Sequence, residues 1–113
     1  PGAGKVRDDP SRENPKDVGE DTRQHEVVWL LQFYHSRYGR DAFATADDLA
    51  EVDVDGVPTK DILTAALSTA YNDHHTVERR PVGGDASYNA QEYALSARGK
   101  TVVEELGRPE TFT

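Results

Sequence analysis

The segment that decides the fold is TVERRPVGGDASYNAQEYALSARGK, residues 76–100. TVERR alternates in the way that a half-buried strand does. A loop rich in glycine follows, and YNAQEYAL predicts a second strand. Ser96 then predicts the start of a helix, ARGKTVVEEL. The segment is therefore predicted to form a β-hairpin followed by a helix, with two adjacent arginines, Arg79 and Arg80, at the base of the hairpin.

Two helices joined by a glycine turn are predicted before the hairpin. Residues 45–52, TADDLAEV, begin like a capping box, which predicts a short helix. Residues 58–73 carry apolar side chains from Ile62 to Tyr71 at spacings of three and four, which predicts an amphipathic helix with a first-turn proline. Together they predict a helix-turn-helix whose second helix is the recognition helix. The polar face of that helix carries Thr59, Lys60, Thr64, Ser68 and Asn72.

Residues 21–38 predict a long helix that is apolar on more than one side. A surface helix of a small monomer needs only one apolar stripe, so the surplus indicates burial against a second subunit. The alternative is that terminal segments of the same chain cover the second side. The expected subunit interface uses this helix and the last one, through Val28, Trp29, Gln32, Phe33, Val103 and Leu106.

The composition is acidic, with 13 Lys and Arg against 21 Asp and Glu, a net charge of −8. This balance resembles the proteins of halophiles that accumulate salt, the alternative being an ordinary acidic surface. The chain has no cysteine, which excludes disulfides, thiolate nucleophiles and cysteine metal sites within it. Its four histidines lack the spacing of a ligand set, and no catalytic set is recognisable. We therefore expect no metal, no cofactor and no enzymatic activity.

The domain organisation follows from where the apolar residues lie. Residues 1–20 are rich in proline, glycine and charge, and predict a flexible N-terminal arm. Residues 21–107 hold the predicted helices and strands, and residues 108–113 are expected to be a C-terminal tail. No apolar run approaches the about 20 residues that span a membrane, so a soluble, cytoplasmic protein is expected.

The segment YALSARGKTVVEEL resembles the closing strand and helix of winged helix-turn-helix transcription regulators. Tyr93, Leu95, Ser96 and Gly99 fill the recurring pattern of those proteins. Residues 21–107 are similar in form to small PadR- and MarR-like repressors, and the acidic opening DTRQHEVVWLLQFYHSRYG is similar to haloarchaeal regulators of the oxidative-stress response. The resemblance implies a mainly α fold with a small β-hairpin (α+β), a homodimer and binding to a palindromic promoter site.

In that architecture residues 58–73 would enter the major groove, and residues 76–95 would form a wing on the minor groove or backbone. One arginine of the pair is expected on each face of its strand. The alternative is a solvated strand end with local partners such as Glu78 and Asp85. For the whole chain, the alternative is a winged-helix module for protein–protein assembly. The residues expected to contact double-stranded DNA are Thr59, Lys60, Thr64, Ser68, Arg79, Arg80, Ser87, Arg98 and Lys100.

An acidic chain repels the phosphates of DNA in dilute salt. At molar salt the Debye length falls to about 3 Å, so attraction and repulsion at long range are both weak. We expect carboxylates near the interface, Asp61 or Asp85, to hold salt cations that they share with phosphates.

Overall fold

The computed structural model describes residues 18–39, 42–82 and 91–112. This part of the chain is mainly helical with a small two-stranded antiparallel sheet, which confirms the predicted α+β class. The order of its elements is compatible with a winged-helix-like fold. The elements are α1 (Thr22–Tyr38), α2 (Ala46–Ala50), α3 (Lys60–Thr69) with a π-helical turn (Ala70–His74), β1 (Val77–Pro81), β2 (Gln91–Leu95), α4 (Ala97–Leu106) and a 3-10 turn (Glu110–Phe112).

The two strands pair in an antiparallel register in which Arg79 lies opposite Tyr93 and Arg80 lies opposite Glu92. Ala44, just before α2, adds a bridge to β2. Its amide donates to the carbonyl of Tyr93 at 2.8 Å, and the amide of Tyr93 donates back at 2.7 Å. The sequence did not predict this bridge, because a single paired residue leaves no alternating pattern. The bridge ties the start of α2 to the sheet.

The predicted helix starts are largely confirmed. Asp21 caps α1, since its carboxylate accepts from two first-turn amides. Thr45 and Asp48 form the predicted capping box of α2, with hydrogen bonds of 3.1 and 3.0 Å. The predicted recognition helix, α3, begins at Lys60, slightly after the predicted Pro58, and Thr59 takes the N-cap position.

The last turn of the predicted recognition helix widens into the π-helical turn. This turn ends at His75, a non-glycine residue with a positive φ of 56°. A single residue without a branched Cβ can adopt the left-handed conformation at a helix C-terminus. His75 does so here and ends the helix before β1. Nothing in the apolar spacing distinguishes a π turn from an α turn, which is why the sequence did not indicate it.

The core lies between α1, α3, α4 and the sheet. Leu30, Leu63 and Leu67 are fully buried, together with Val28. Ile62 departs from the predicted apolar face of α3, because its side chain is 41% exposed. The inner face of α3 is instead formed by Leu63, Ala66 and Leu67, and Ala70 continues it into the π-helical turn.

The packed domain extends beyond the predicted 21–107 at both ends. Val18, which the sequence placed in the arm, is fully buried in the core. Pro109 and Phe112, which the sequence placed in the tail, are also buried. The rest of the predicted arm, residues 1–17, lies outside the described residues.

Gly99 allows α4 to approach the chain just before β1. A Cβ added at Gly99 would overlap the main-chain carbonyl oxygen of Thr76 and lie 2.9 Å from a methyl carbon of Leu95. Neither the carbonyl nor the strand can move without shifting the sheet. This close approach gives a physical reason for glycine at position 99.

We expect Gly99→Ala to lower the free energy of unfolding by about 1–3 kcal/mol, the usual range for overpacking a core. Helix propensity alone favours alanine over glycine by about 1 kcal/mol, so a net loss would report the clash. The measurement is urea unfolding followed by the fluorescence of Trp29, with Thr101→Ala on the exposed side of α4 as the control. An unchanged or higher stability of Gly99→Ala would contradict the close approach.

Candidate nucleic-acid interface

The outer face of α3 carries the predicted small polar residues. Thr59, Lys60 and Thr64 are exposed, and Ser68 is half-buried. The hydroxyl of Thr64 donates to the main-chain carbonyl of Lys60 at 2.9 Å. The hydroxyl of Ser68 accepts from the side-chain amide of Asn72 at 3.2 Å. These bonds fix both oxygens on the helix surface, where each retains acceptor capacity.

Lys60 is paired within the chain. Its ammonium nitrogen lies 3.2 Å from a carboxylate oxygen of Asp47 on α2. Both side chains are more than half exposed, at 57% and 59%, so water screens this pair. The sequence did not pair them, because they lie on different helices.

Arg80 lies between a carboxylate and an aromatic ring. Its Nε donates to Glu92 at 2.6 Å across the sheet. Its guanidinium also lies 3.8 Å from the ring centroid of Phe43, in the connection between α1 and α2. The local partners suggested by the sequence were Glu78 and Asp85; Glu92 takes that role, and Asp85 lies outside the described residues.

Arg79 faces a different neighbour. Its guanidinium lies over the ring of Tyr71, 4.0 Å from the centroid. Tyr71 belongs to the π-helical turn that follows α3. The two arginines thus contact different elements, as strand alternation predicts. The contact joins the base of the predicted wing to the end of α3.

A cavity of about 340 Å³ lies between the start of α2, the first half of α3 and β2. Two predicted contact residues, Lys60 and Thr64, line it together with Asp47, Gln91 and Tyr93. The N-terminal half of α3 and the hairpin therefore border one concave surface. This surface, the exposed face of α3 and the arginine pair form the candidate interface.

Two predicted contact residues, Arg98 and Lys100, lie apart from the candidate interface. Arg98 donates from Nε to the carbonyl of His74 at 2.9 Å, so it fastens α4 to the π-helical turn. Lys100 lines a separate groove between α1 and α4. Ser87 lies outside the described residues. Along α4, Arg98 is thus directed to the turn that follows α3, and Lys100 to the groove beside α1.

The groove between α1 and α4 has a volume of about 600 Å³ and contains part of the expected subunit interface. Trp29, Gln32 and Val103 line it. Val28 does not belong to it, because its side chain is fully buried in the core of the chain and offers no surface to a partner. Leu106 borders another cavity, beside the last residues of the chain.

The C-terminal residues cover part of the second side of α1. The guanidinium of Arg108 lies 4.9 Å from the ring centroid of Trp29, and the ring of Phe112 lies 5.4 Å from it. Arg108 also donates to the carbonyl of Phe112 at 3.0 and 2.6 Å. Phe33, the remaining predicted interface residue, stacks on Trp29 at 5.3 Å. Part of the apolar surplus of α1 is thus buried within the chain. This agrees with the alternative that terminal segments of the same chain cover the second side of the helix.

Sequence reasoning missed the residues that hold the charged groups of the interface: Phe43, Asp47, Tyr71 and Glu92. Glu92 could have been found from a correct hairpin register, which places it opposite Arg80. The others come from separate elements and leave no local signal. Within the described residues, no group of three or more metal-binding side chains converges, and no helix is long and apolar enough to cross a membrane.

Comparisons of the chain with protein-family models, with curated proteins and with solved structures gave no match in any of the three. The candidate interface is therefore judged on its own geometry.

We expect Phe112→Ala to shift the emission of Trp29, the single tryptophan, to longer wavelength, because water would reach the ring that Phe112 covers. The same change should lower the free energy of unfolding by about 3–5 kcal/mol, as loss of a buried phenylalanine does. The measurement is an emission spectrum under native conditions, with circular dichroism to show that the helices persist. Thr111→Ala, an exposed neighbour, should leave the spectrum unchanged; an equal shift in both variants would contradict the packing of Phe112 on Trp29.

Proposed function

We propose that the chain is a sequence-specific transcription regulator that binds double-stranded DNA as a homodimer. The observation that supports this most is the contact of Arg79 with Tyr71, which couples the wing base to the end of α3. Because of this contact, a helix with an exposed polar face and a pair of arginines are held as one surface. That combination suits a recognition helix in the major groove and a wing on the adjacent backbone or minor groove.

The chemistry of α3 fits reading of base edges. Threonine hydroxyls accept or donate hydrogen bonds to bases, and threonine methyl groups contact the methyl group of thymine. Thr59 makes no side-chain capping bond to its own helix, which leaves its hydroxyl for a phosphate or base. Arginines inserted in a narrow minor groove read its shape, and this is the role proposed for Arg79 or Arg80.

The setting proposed for this activity is a halophilic archaeon and its oxidative-stress response. The acidic composition and the resemblance of residues 21–107 to winged-helix regulators support it. The exposed carboxylate of Asp61, in the first turn of α3, is proposed to hold salt cations that are shared with phosphates. The other such carboxylate, Asp85, lies outside the described residues. The chain has no cysteine, so any response to oxidants would not use a thiol of this chain.

A second candidate function is a winged-helix module for protein–protein assembly. The specific observation in its favour is that Lys60 and Arg80 are both paired with carboxylates, which leaves the candidate interface with little net positive charge. Ordinary DNA-binding surfaces carry a clear positive excess.

The experiment that separates the two functions is selection of duplexes from a random library, followed by fluorescence-anisotropy titration of a selected and a scrambled duplex. We expect the selected duplex to bind preferentially. Thr64→Ala and Arg80→Ala should weaken that binding by about 1–3 kcal/mol each, roughly fivefold to 150-fold, because each removes a contact to a groove. Arg37→Ala is the matched control, since Arg37 also lies over an aromatic ring but on α1, away from α3.

Failure to enrich any sequence, or equal losses for Arg37→Ala and Arg80→Ala, would overturn the proposed regulator and favour the assembly module. Unfolding curves of all variants show whether a loss of binding reflects a loss of folding.

A two-fold dimer on a palindrome places its two recognition helices about 34 Å apart, one turn of the duplex. Because the chain has no cysteine, Ala65→Cys on the exposed side of α3 gives a single site for a spin label. We expect electron–electron double resonance to report a separation near this value, within the length of the label.

If sedimentation shows a dimer but no dipolar signal is seen, this arrangement is contradicted. A label-to-label distance incompatible with two major grooves one turn of the duplex apart would also contradict it. A monomer in sedimentation would overturn the proposed homodimer itself.

A further inference from the structure

We propose that Asp47 and Glu92 limit the affinity for DNA, because they neutralise Lys60 and Arg80 within the chain. The two carboxylates would weaken binding to phosphates and flatten its dependence on salt. This inference rests on the proposed function. It gives Asp47 and Glu92 a role in DNA binding that requires no direct contact with the DNA.

The pair of Arg80 and Glu92 has a fixed geometry. The two residues are direct cross-strand neighbours, and the N–H···O bond of 2.6 Å is short even for a charged pair. The side chain of Glu92 is only 18% exposed, whereas that of Arg80 is 55% exposed. The carboxylate is therefore mostly covered, whereas the guanidinium remains partly open to solvent.

The pair of Lys60 and Asp47 borders the cavity between α2, α3 and β2. Asp47 takes no part in the capping box of α2, which Thr45 and Asp48 complete by themselves. Its carboxylate is instead 3.2 Å from the ammonium of Lys60, at the N-terminal end of α3. An aspartate at this point places a negative charge where a phosphate would approach the helix.

The expected effect can be stated as a salt dependence. Each phosphate that a cation neutralises releases a counterion and adds about 0.9 to the slope of log K against log salt. A cation that already has a carboxylate partner contributes less than this. Removing one carboxylate charge should steepen the slope by up to about 0.9, which is about eightfold in affinity for each tenfold dilution of salt.

Neutral isosteres change the charge and keep the shape. In Glu92→Gln the amide oxygen still accepts a hydrogen bond from Nε of Arg80. The ring of Phe43, 3.8 Å from the guanidinium, still contacts the arginine. The freed positive charge therefore stays at the base of the wing.

The consequence for function is that sequence-independent contacts contribute a smaller part of the total affinity for DNA. Phosphate contacts supply affinity to every duplex, whereas base edges and groove shape distinguish one duplex from another. A chain whose carboxylates neutralise its own Lys and Arg side chains binds every duplex more weakly. The contacts of α3 with the bases then determine which duplex it prefers.

The test is a set of anisotropy titrations on a selected and a scrambled duplex, from about 0.1 M to about 1 M KCl. We expect Glu92→Gln and Asp47→Asn to bind both duplexes up to about eightfold more tightly than the unmodified chain at the low end, and equally at the high end. Their slopes should be steeper by up to about 0.9 each.

Two controls separate a local effect from the loss of net charge. Glu105→Gln on α4 and Asp53→Asn after α2 remove the same charges from exposed positions on other elements. Both should leave the slope unchanged. In an Arg80→Ala background, Glu92→Gln should have no effect, because it acts only through that arginine.

Four results are decisive. Steeper slopes in the two variants, unchanged slopes in the controls and loss of the effect without Arg80 support the proposal. Binding by the unmodified chain with unchanged slopes in Glu92→Gln and Asp47→Asn overturns it and leaves the DNA-binding function standing. Equal steepening in Glu105→Gln also overturns it, since net charge would then be the cause. Absence of binding to any duplex by every chain overturns the proposed function and this inference together.

Discussion

The close approach of Gly99 to the carbonyl of Thr76 is the constraint on which the arrangement of the domain depends. At this point α4 packs against the short link between the π-helical turn and β1. The amide of Ser96 donates to the carbonyl of Thr76 at 3.0 Å, its hydroxyl donates to the carbonyl of His75 at 2.9 Å, and Gly99 fits only because it lacks a Cβ. One junction therefore fixes the π-helical turn after α3, the start of β1 and helix α4 relative to one another.

Aromatic side chains position the two arginines relative to this junction. Tyr71 and Phe43 lie beneath the guanidinium groups of Arg79 and Arg80, from opposite ends of the helix-turn-helix. A flat ring below a guanidinium restricts its motion and leaves its N–H edge exposed. The arginines are thus held in place by apolar contacts as well as by charge, a useful arrangement where salt screens exposed ion pairs.

The acidic character of the chain extends to the candidate interface. Asp47 and Glu92 accompany Lys60 and Arg80, so the surface proposed to read DNA is balanced in charge. At low salt such balance weakens the counterion-release term that dominates ordinary DNA binding. At molar salt that term is small in any case, so hydrogen bonds and shape would decide binding whether or not the carboxylates are present.

The sequence by itself determined the order of helices and strands, the capping of α1, α2 and α4, and the polar face of α3, because each is written in local spacing and cap residues. Only the tertiary structure decided which partners the charged side chains take. Ala44 pairs with Tyr93, Asp47 with Lys60, Glu92 with Arg80, and Arg108 with Trp29, each between different parts of the fold. It also moved Val28 from a surface to the core and Arg98 from the interface to the π-helical turn. Such pairings depend on the register of the sheet and the rotation of each helix about its axis, which no local pattern records.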